Sequence, residues 1–76
     1  MLTLDQAEHG QRLRIESIDG APELVQRLME FGLLEGEIVE IVGFAPLGDP
    51  MELHIGQTRL SLRKREAAGI TVTLLP

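Results

Sequence analysis

Gly43 and Gly48 are spaced as the glycines of a phosphate-binding loop are, in the stretch Gly43-Phe44-Ala45-Pro46-Leu47-Gly48-Asp49-Pro50 that follows an apolar run. Such a loop continues with Lys, whose ammonium meets the β- and γ-phosphates, and then with Ser or Thr, whose hydroxyl meets Mg²⁺. Here those positions hold Asp49 and Pro50. A carboxylate repels phosphate. Proline has no N–H to offer and disfavours a helix starting across it. Nucleotide binding fails on charge and on backbone.

Other chemistry is equally hard to assemble. The serines are Ser17 and Ser61 and the histidines His9 and His54. Ser61 and His54 fall at outward positions of strand-like segments, where neighbouring polar side chains are ordinary surface. The carboxylate pairs Glu37/Glu40 and Asp49/Glu52 need a concave, partly desolvated site to exchange protons, and a small barrel fills its interior with side chains. No catalytic residue is assigned, and a non-enzyme is expected. Asp49, Glu52 and His54 form a carboxylate–imidazole set suited to divalent first-row metals. Without a fourth ligand they imply weak divalent binding, with no dedicated metal or cofactor site.

Composition narrows the class. A chain of 76 residues is one domain, 1–76. It carries no Cys, which excludes disulfides and thiolate metal sites. The apolar fraction is 43%, carried almost wholly by Leu, Ile, Val and Ala, which supports a packed core. There is no run long and apolar enough for a membrane span and no signal peptide, so a cytoplasmic location without membrane insertion is expected. The net charge of −5 repels phosphate backbones, and the only aromatics are Phe31, placed in the core, and Phe44 at a strand end. Without stacking residues no nucleic-acid partner is expected. Four of the seven basic residues, Arg59, Arg63, Lys64 and Arg65, nonetheless cluster, while eleven of the twelve acidic residues lie at or before Glu52. The result is a basic strip on an acidic body.

The elements that would position these residues follow from periodicity. Residues 12–18 alternate and then slip at Ser17–Ile18, as a strand with a bulge does. Pro22 and Glu23 suit a first helical turn, Leu24, Val25, Leu28 and Phe31 recur at helical spacing, and Gly32 supplies a left-handed cap. A helix over 22–31 results. Residues 37–44 form a β-branched strand. Residues 51–55 put Met51, Leu53 and Ile55 on one face, and Gly56–Gln57 makes a two-residue type II′ hairpin to a strand that buries Leu60 and Leu62. Lys64 to Gly69 gives one helical turn. Ile70, Val72 and Leu74 share a face of the last strand. Five short strands, one early helix and one late helical turn describe a mainly β, small closed barrel.

Two apolar turns remain unassigned by the core. Leu33 and Leu34 follow the helix directly, and Ala45, Pro46 and Leu47 sit in a loop stiffened by two prolines. Each either caps the barrel or forms a docking knob. Asp49 either accepts loop N–H bonds or pairs with Arg63. Leu33, Leu34, Ala45, Pro46, Leu47, Arg59, Arg63, Lys64 and Arg65 are taken as the candidate partner-docking set.

The ordered set Arg27–Leu28, Gly32–Leu33, Gly36, Ala45 to Pro50, Leu62–Arg63, Glu66–Ala67 and Ile70–Val72 resembles the FeoA family, the small cytosolic component of bacterial ferrous iron transport. The likeness covers roughly residues 4–74. It implies a Src-homology-3-like barrel and a non-enzymatic accessory that docks on FeoB, a membrane transporter with a cytosolic GTP-binding domain, and modulates its activity or assembly. The same domain closes iron-dependent repressors. The alternative reading is therefore a metal-responsive regulatory module using Asp49, Glu52 and His54, although the stand-alone form fits this chain better. A third reading is a self-associating barrel that forms a homo-oligomer.

Overall fold

The computed structural model describes all of residues 1–76. A short strand β1 (Leu2–Thr3) leads into a 3-10 turn (Leu4–Gln6). Then come β2 (Arg12–Ile18), α1 (Pro22–Glu30), β3 (Ile38–Phe44), β4 (Met51–Ile55), β5 (Thr58–Leu62), α2 (Lys64–Ala67) and β6 (Ile70–Leu74). All pairings are antiparallel, in the order β1-β6-β2-β3-β4-β5. The architecture is mainly β and barrel-like.

Two expectations about the sheet are corrected. A sixth strand exists, because Leu2 and Thr3 pair with Val72 and Thr71 along the edge of β6. Strict closure is absent: β5 pairs with β4 alone, and β6 already has β1 and β2 as its two neighbours, so β1 and β5 are left as the sheet edges. α2 follows β5 and packs against the 3-10 turn.

The strand patterning holds in detail. Met51, Leu53 and Ile55 of β4 are buried, as are Leu60 and Leu62 of β5. At the hairpin Gly56 has φ +59 and no residue other than glycine has positive φ, which matches a type II′ turn with Gly first. The register of β2 against β6 slips between Ile15 and Ser17, as the broken alternation predicts. At the other end of the sheet Leu74 is half-exposed, because the inward face runs out at the end of β6.

α1 starts on Pro22 with Glu23 in its first turn, where the missing N–H and the negative charge both suit a helix N-terminus. It ends in a Schellman motif. Gly32 has φ +93, its N–H reaches the Met29 carbonyl at 2.9 Å, and the Leu33 N–H reaches the Leu28 carbonyl at 2.9 Å. That geometry turns Leu33 back onto Leu28, and both are buried.

Gly69 has a different task from the helix terminator its position suggests. Its φ is not positive, but a Cβ there would collide with the Asp19 carbonyl oxygen. The Asp19 N–H donates to the Gly69 carbonyl at 2.8 Å, so the ends of β2 and α2 are drawn together there. Only a residue without a side chain fits that approach. The core itself is sixteen residues, all apolar, and no polar side chain is buried. Any functional chemistry therefore lies on the surface.

Candidate docking cleft

The most capacious concavity is a cleft of about 620 Å³ between α1 and the β5–α2 segment. α1 contributes Arg27, Leu28 and Phe31, β5 contributes Arg59, Leu60 and Ser61, and Arg63, Arg65 and Glu66 close the far end, with Pro50 beside them. Four of its lining residues carry guanidinium groups, and its exposed apolar surface includes the Phe31 ring.

Two of the four guanidiniums are engaged within the protein. Arg27 meets Glu66 at 2.9 Å, and Arg59 meets Glu52 at 2.8 Å. Glu66 uses its second oxygen to accept the Arg63 N–H at 3.1 Å. One carboxylate thus ties α1 to the start of α2. Arg63 and Arg65 have no ion-pair partner within 4.0 Å and flank a smaller hollow with Asp49.

The loop 45–50, whose Pro50 lines the cleft, is tied to Lys64. The Asp49 carboxylate accepts the Lys64 N–H at 2.9 Å, and the Lys64 ammonium stands 5.1 Å from the Phe44 ring centroid. The loop is closed by the Ala45 N–H on the Pro50 carbonyl at 2.9 Å and the Gly48 N–H on the Ala45 carbonyl at 2.7 Å. Pro46 is exposed and Leu47 is 97% exposed, while Ala45 is half-buried.

The candidate residues do not form one patch. Leu33 is fully buried, so its assignment to a docking knob is corrected: the helix cap folds it into the core. Leu34 is exposed but lines a separate hollow of about 350 Å³ with Ile18, Val25, Met29 and Glu35, on the other flank of α1. Phe31, expected in the core, is 46% exposed at the cleft because it is the residue at which α1 ends. Arg27 and Phe31 were missed as site residues. Their spacing of four on a helix puts them on one face, which was the available signal.

The metal-ligand candidates are also separated. Asp49 is bonded to Lys64, Glu52 to Arg59, and His54 lies between Glu40 and Arg59 in the ladder. No group of three or more His, Cys, Asp or Glu side chains is placed to hold a metal ion. No helix is long and apolar enough to cross a membrane.

Known proteins share both sequence and fold with the chain. The FeoA domain model matches residues 2–74. The Fe(2+) transport protein A/Fe(2+) transporter FeoB fusion protein of Porphyromonas gingivalis is 31% identical over 74 residues, which are 97% of this chain and 9% of that protein. The chain therefore spans under a tenth of that relative's length. The solution structure of FeoA from Chlorobium tepidum superposes with a TM-score of 0.94 at 37% identity, over 99% of this chain and 71% of that one. FeoA of Stenotrophomonas maltophilia, described as a prokaryotic SH3 domain protein and solved with zinc, gives 0.82 at 30% identity over 96% and 91%. ScaR with bound Cd²⁺ shares the fold alone, at 0.85 and 20% identity over 99% of this chain and 35% of that one. With a family match over nearly its whole length and a barrel-like fold shared with solved FeoA structures, the chain belongs to the FeoA domain family.

Proposed function

We propose that this protein is a non-enzymatic accessory of ferrous iron transport that docks on the cytosolic face of a FeoB-type transporter. The observation that carries the reading is the fusion relative, in which a FeoA segment and FeoB share one polypeptide. Fusion holds two partners at high effective concentration, which benefits components that touch each other. The docking surface of this chain is the cleft, with Phe31 on α1 and Arg63 and Arg65 at its rim, together with the exposed Pro46 and Leu47 of the loop that carries Pro50 and with Lys64, which is bonded to that loop. Apolar contacts there carry the affinity, while each rim charge contributes about 0.2–1 kcal/mol.

The test is an amide NMR titration with the cytosolic domain of the transporter, with and without guanine nucleotide. Shifts gathered at residues 45–50 and 59–65 and at Phe31 support the reading. Shifts confined to Leu34 and Met29 move the interface to the other flank of α1. No shifts at high concentration overturn docking on that domain.

A further inference from the structure

The outer edge of β5 is a row of backbone groups with no strand beside it, and it lies in the basic cleft. Its polarity follows from the hairpin. In a two-residue hairpin the closing pair, Ile55 and Thr58, exchange hydrogen bonds, and every second pair along the ladder does the same. Leu53–Leu60 and Met51–Leu62 are then the other bonded pairs. The N–H and C=O groups of Arg59 and Ser61 consequently point away from β4, into the space facing α1. An unpaired edge of this kind is a template for another strand.

We propose that the free edge of β5 accepts an extended acidic peptide segment as an additional strand, with its carboxylates meeting Arg63 and Arg65. The inference deepens the docking reading and rests on it for the identity of the partner. Charge complementarity selects the occupant. Two of the four cleft guanidiniums are already bonded to carboxylates, and Arg63 and Arg65 are left without one. Guanidinium binds carboxylate through paired N–H donors, and a peptide carboxylate reaching that end completes the pattern. The exposed ring of Phe31, which lines the cleft, suits an aliphatic side chain between the acidic ones. A second copy of this chain is disfavoured at the same edge, because pairing β5 with β5 brings Arg59, Arg63 and Arg65 of both copies together.

The experiment titrates the labelled full chain with two synthetic decapeptides, one alternating Glu and Val, the other alternating Lys and Val. With the acidic peptide, amide exchange slows at Arg59 and Ser61 and the Arg63 and Arg65 guanidinium signals shift, while the basic peptide does neither. Arg63→Glu/Arg65→Glu weakens acidic-peptide binding by about tenfold or more, since both charge-assisted contacts are lost. Ser61→Pro removes an outward N–H without breaking the ladder to β4 and abolishes the slowed exchange at Arg59. Guanidinium shifts without amide protection, or equal responses to the two peptides, overturn the added strand, and so does no response at all. The transporter's cytosolic domain is titrated in parallel. If it binds wild type and Ser61→Pro equally, docking stands and the strand proposal falls; if neither the domain nor the acidic peptide binds, both fall.

Discussion

The carboxylate of Asp49 accepts the backbone N–H of Lys64 at 2.9 Å, so a residue of the proline-stiffened loop caps a helix fifteen positions further on. Arg63 precedes α2 without making any side-chain cap of its own. The N-terminal N–H groups of a helix have no intrahelical acceptor, and a carboxylate also suits the positive end of its dipole. Asp49 supplies both from outside. The residue that makes the glycine pair useless as a phosphate loop is the one that fixes the loop to the barrel.

Replacing Asp49 by Ala is expected to destabilise the fold by about 1 kcal/mol, the usual cost of a lost helix cap. Asp49→Asn keeps an acceptor and costs less. Urea denaturation measures both, and hydrogen exchange at Lys64 speeds up in the Ala variant. Equal stability of all three proteins shows that Lys64 is satisfied by water instead.

Leu33 and Leu34 are neighbours with opposite environments, the first fully buried and the second 40% exposed. Leu33→Ala empties a core position against Leu28 and is expected to cost about 2–5 kcal/mol. In a domain of this size that is a large share of the total stability. Leu34→Ala removes partial burial only and stays within about 1 kcal/mol. Thermal unfolding of the two variants separates them. A mild effect at Leu33 means the α1 cap is not seated as described.

These residues show what local pattern conveys and what it omits. The bulge near Ser17 was legible because it breaks a period of two, and the hairpin because Gly56 comes first in its turn. Gly32 was legible as a cap. Its consequence was not, since a Schellman motif sends the next side chain inward and turn composition alone leaves that open. The strand β1 was invisible because two residues carry no period. The cleft depends on α1 and β5 lining one concavity, elements that share no local signal. Basic residues Arg59 to Arg65 announced themselves by clustering, whereas Arg27 and Phe31 join them only through the fold.

Glu16 is expected to give the protein a small acid-side sensitivity. Its carboxylate accepts the Thr73 hydroxyl at 2.7 Å and the Arg14 guanidinium at 3.2 Å. The Thr73 hydrogen bond is the first cause holding the Glu16 pKa below the ordinary glutamate value, with the Arg14 bond and charge adding to it. A carboxylate depressed in the folded state contributes stability above its unfolded pKa and loses it as pH falls through the folded value. Glu16→Gln is therefore expected to lower stability at neutral pH and to flatten its decline through the carboxylate range. Since Glu16 lies at the surface the effect is small, and added salt weakens the Arg14 part of it. Wild-type and variant denaturation curves at neutral and acid pH make the comparison. A parallel decline in the two proteins assigns the acid sensitivity to other carboxylates.

Leu47 separates a docking role from a structural one. It is 97% exposed on a loop whose backbone is already closed by two hydrogen bonds, so folding gains almost nothing from it. Leu47→Ser is expected to leave stability within about 0.5 kcal/mol of wild type. If the loop docks, the same change removes the burial of one leucine side chain, worth about 1.5–3 kcal/mol, and weakens transporter binding by about 10- to 100-fold. Calorimetric titration with the cytosolic domain reads the affinity, and a melting curve verifies the fold. Unchanged affinity with unchanged stability removes the loop tip from the interface and leaves the cleft rim and Phe31 to carry it.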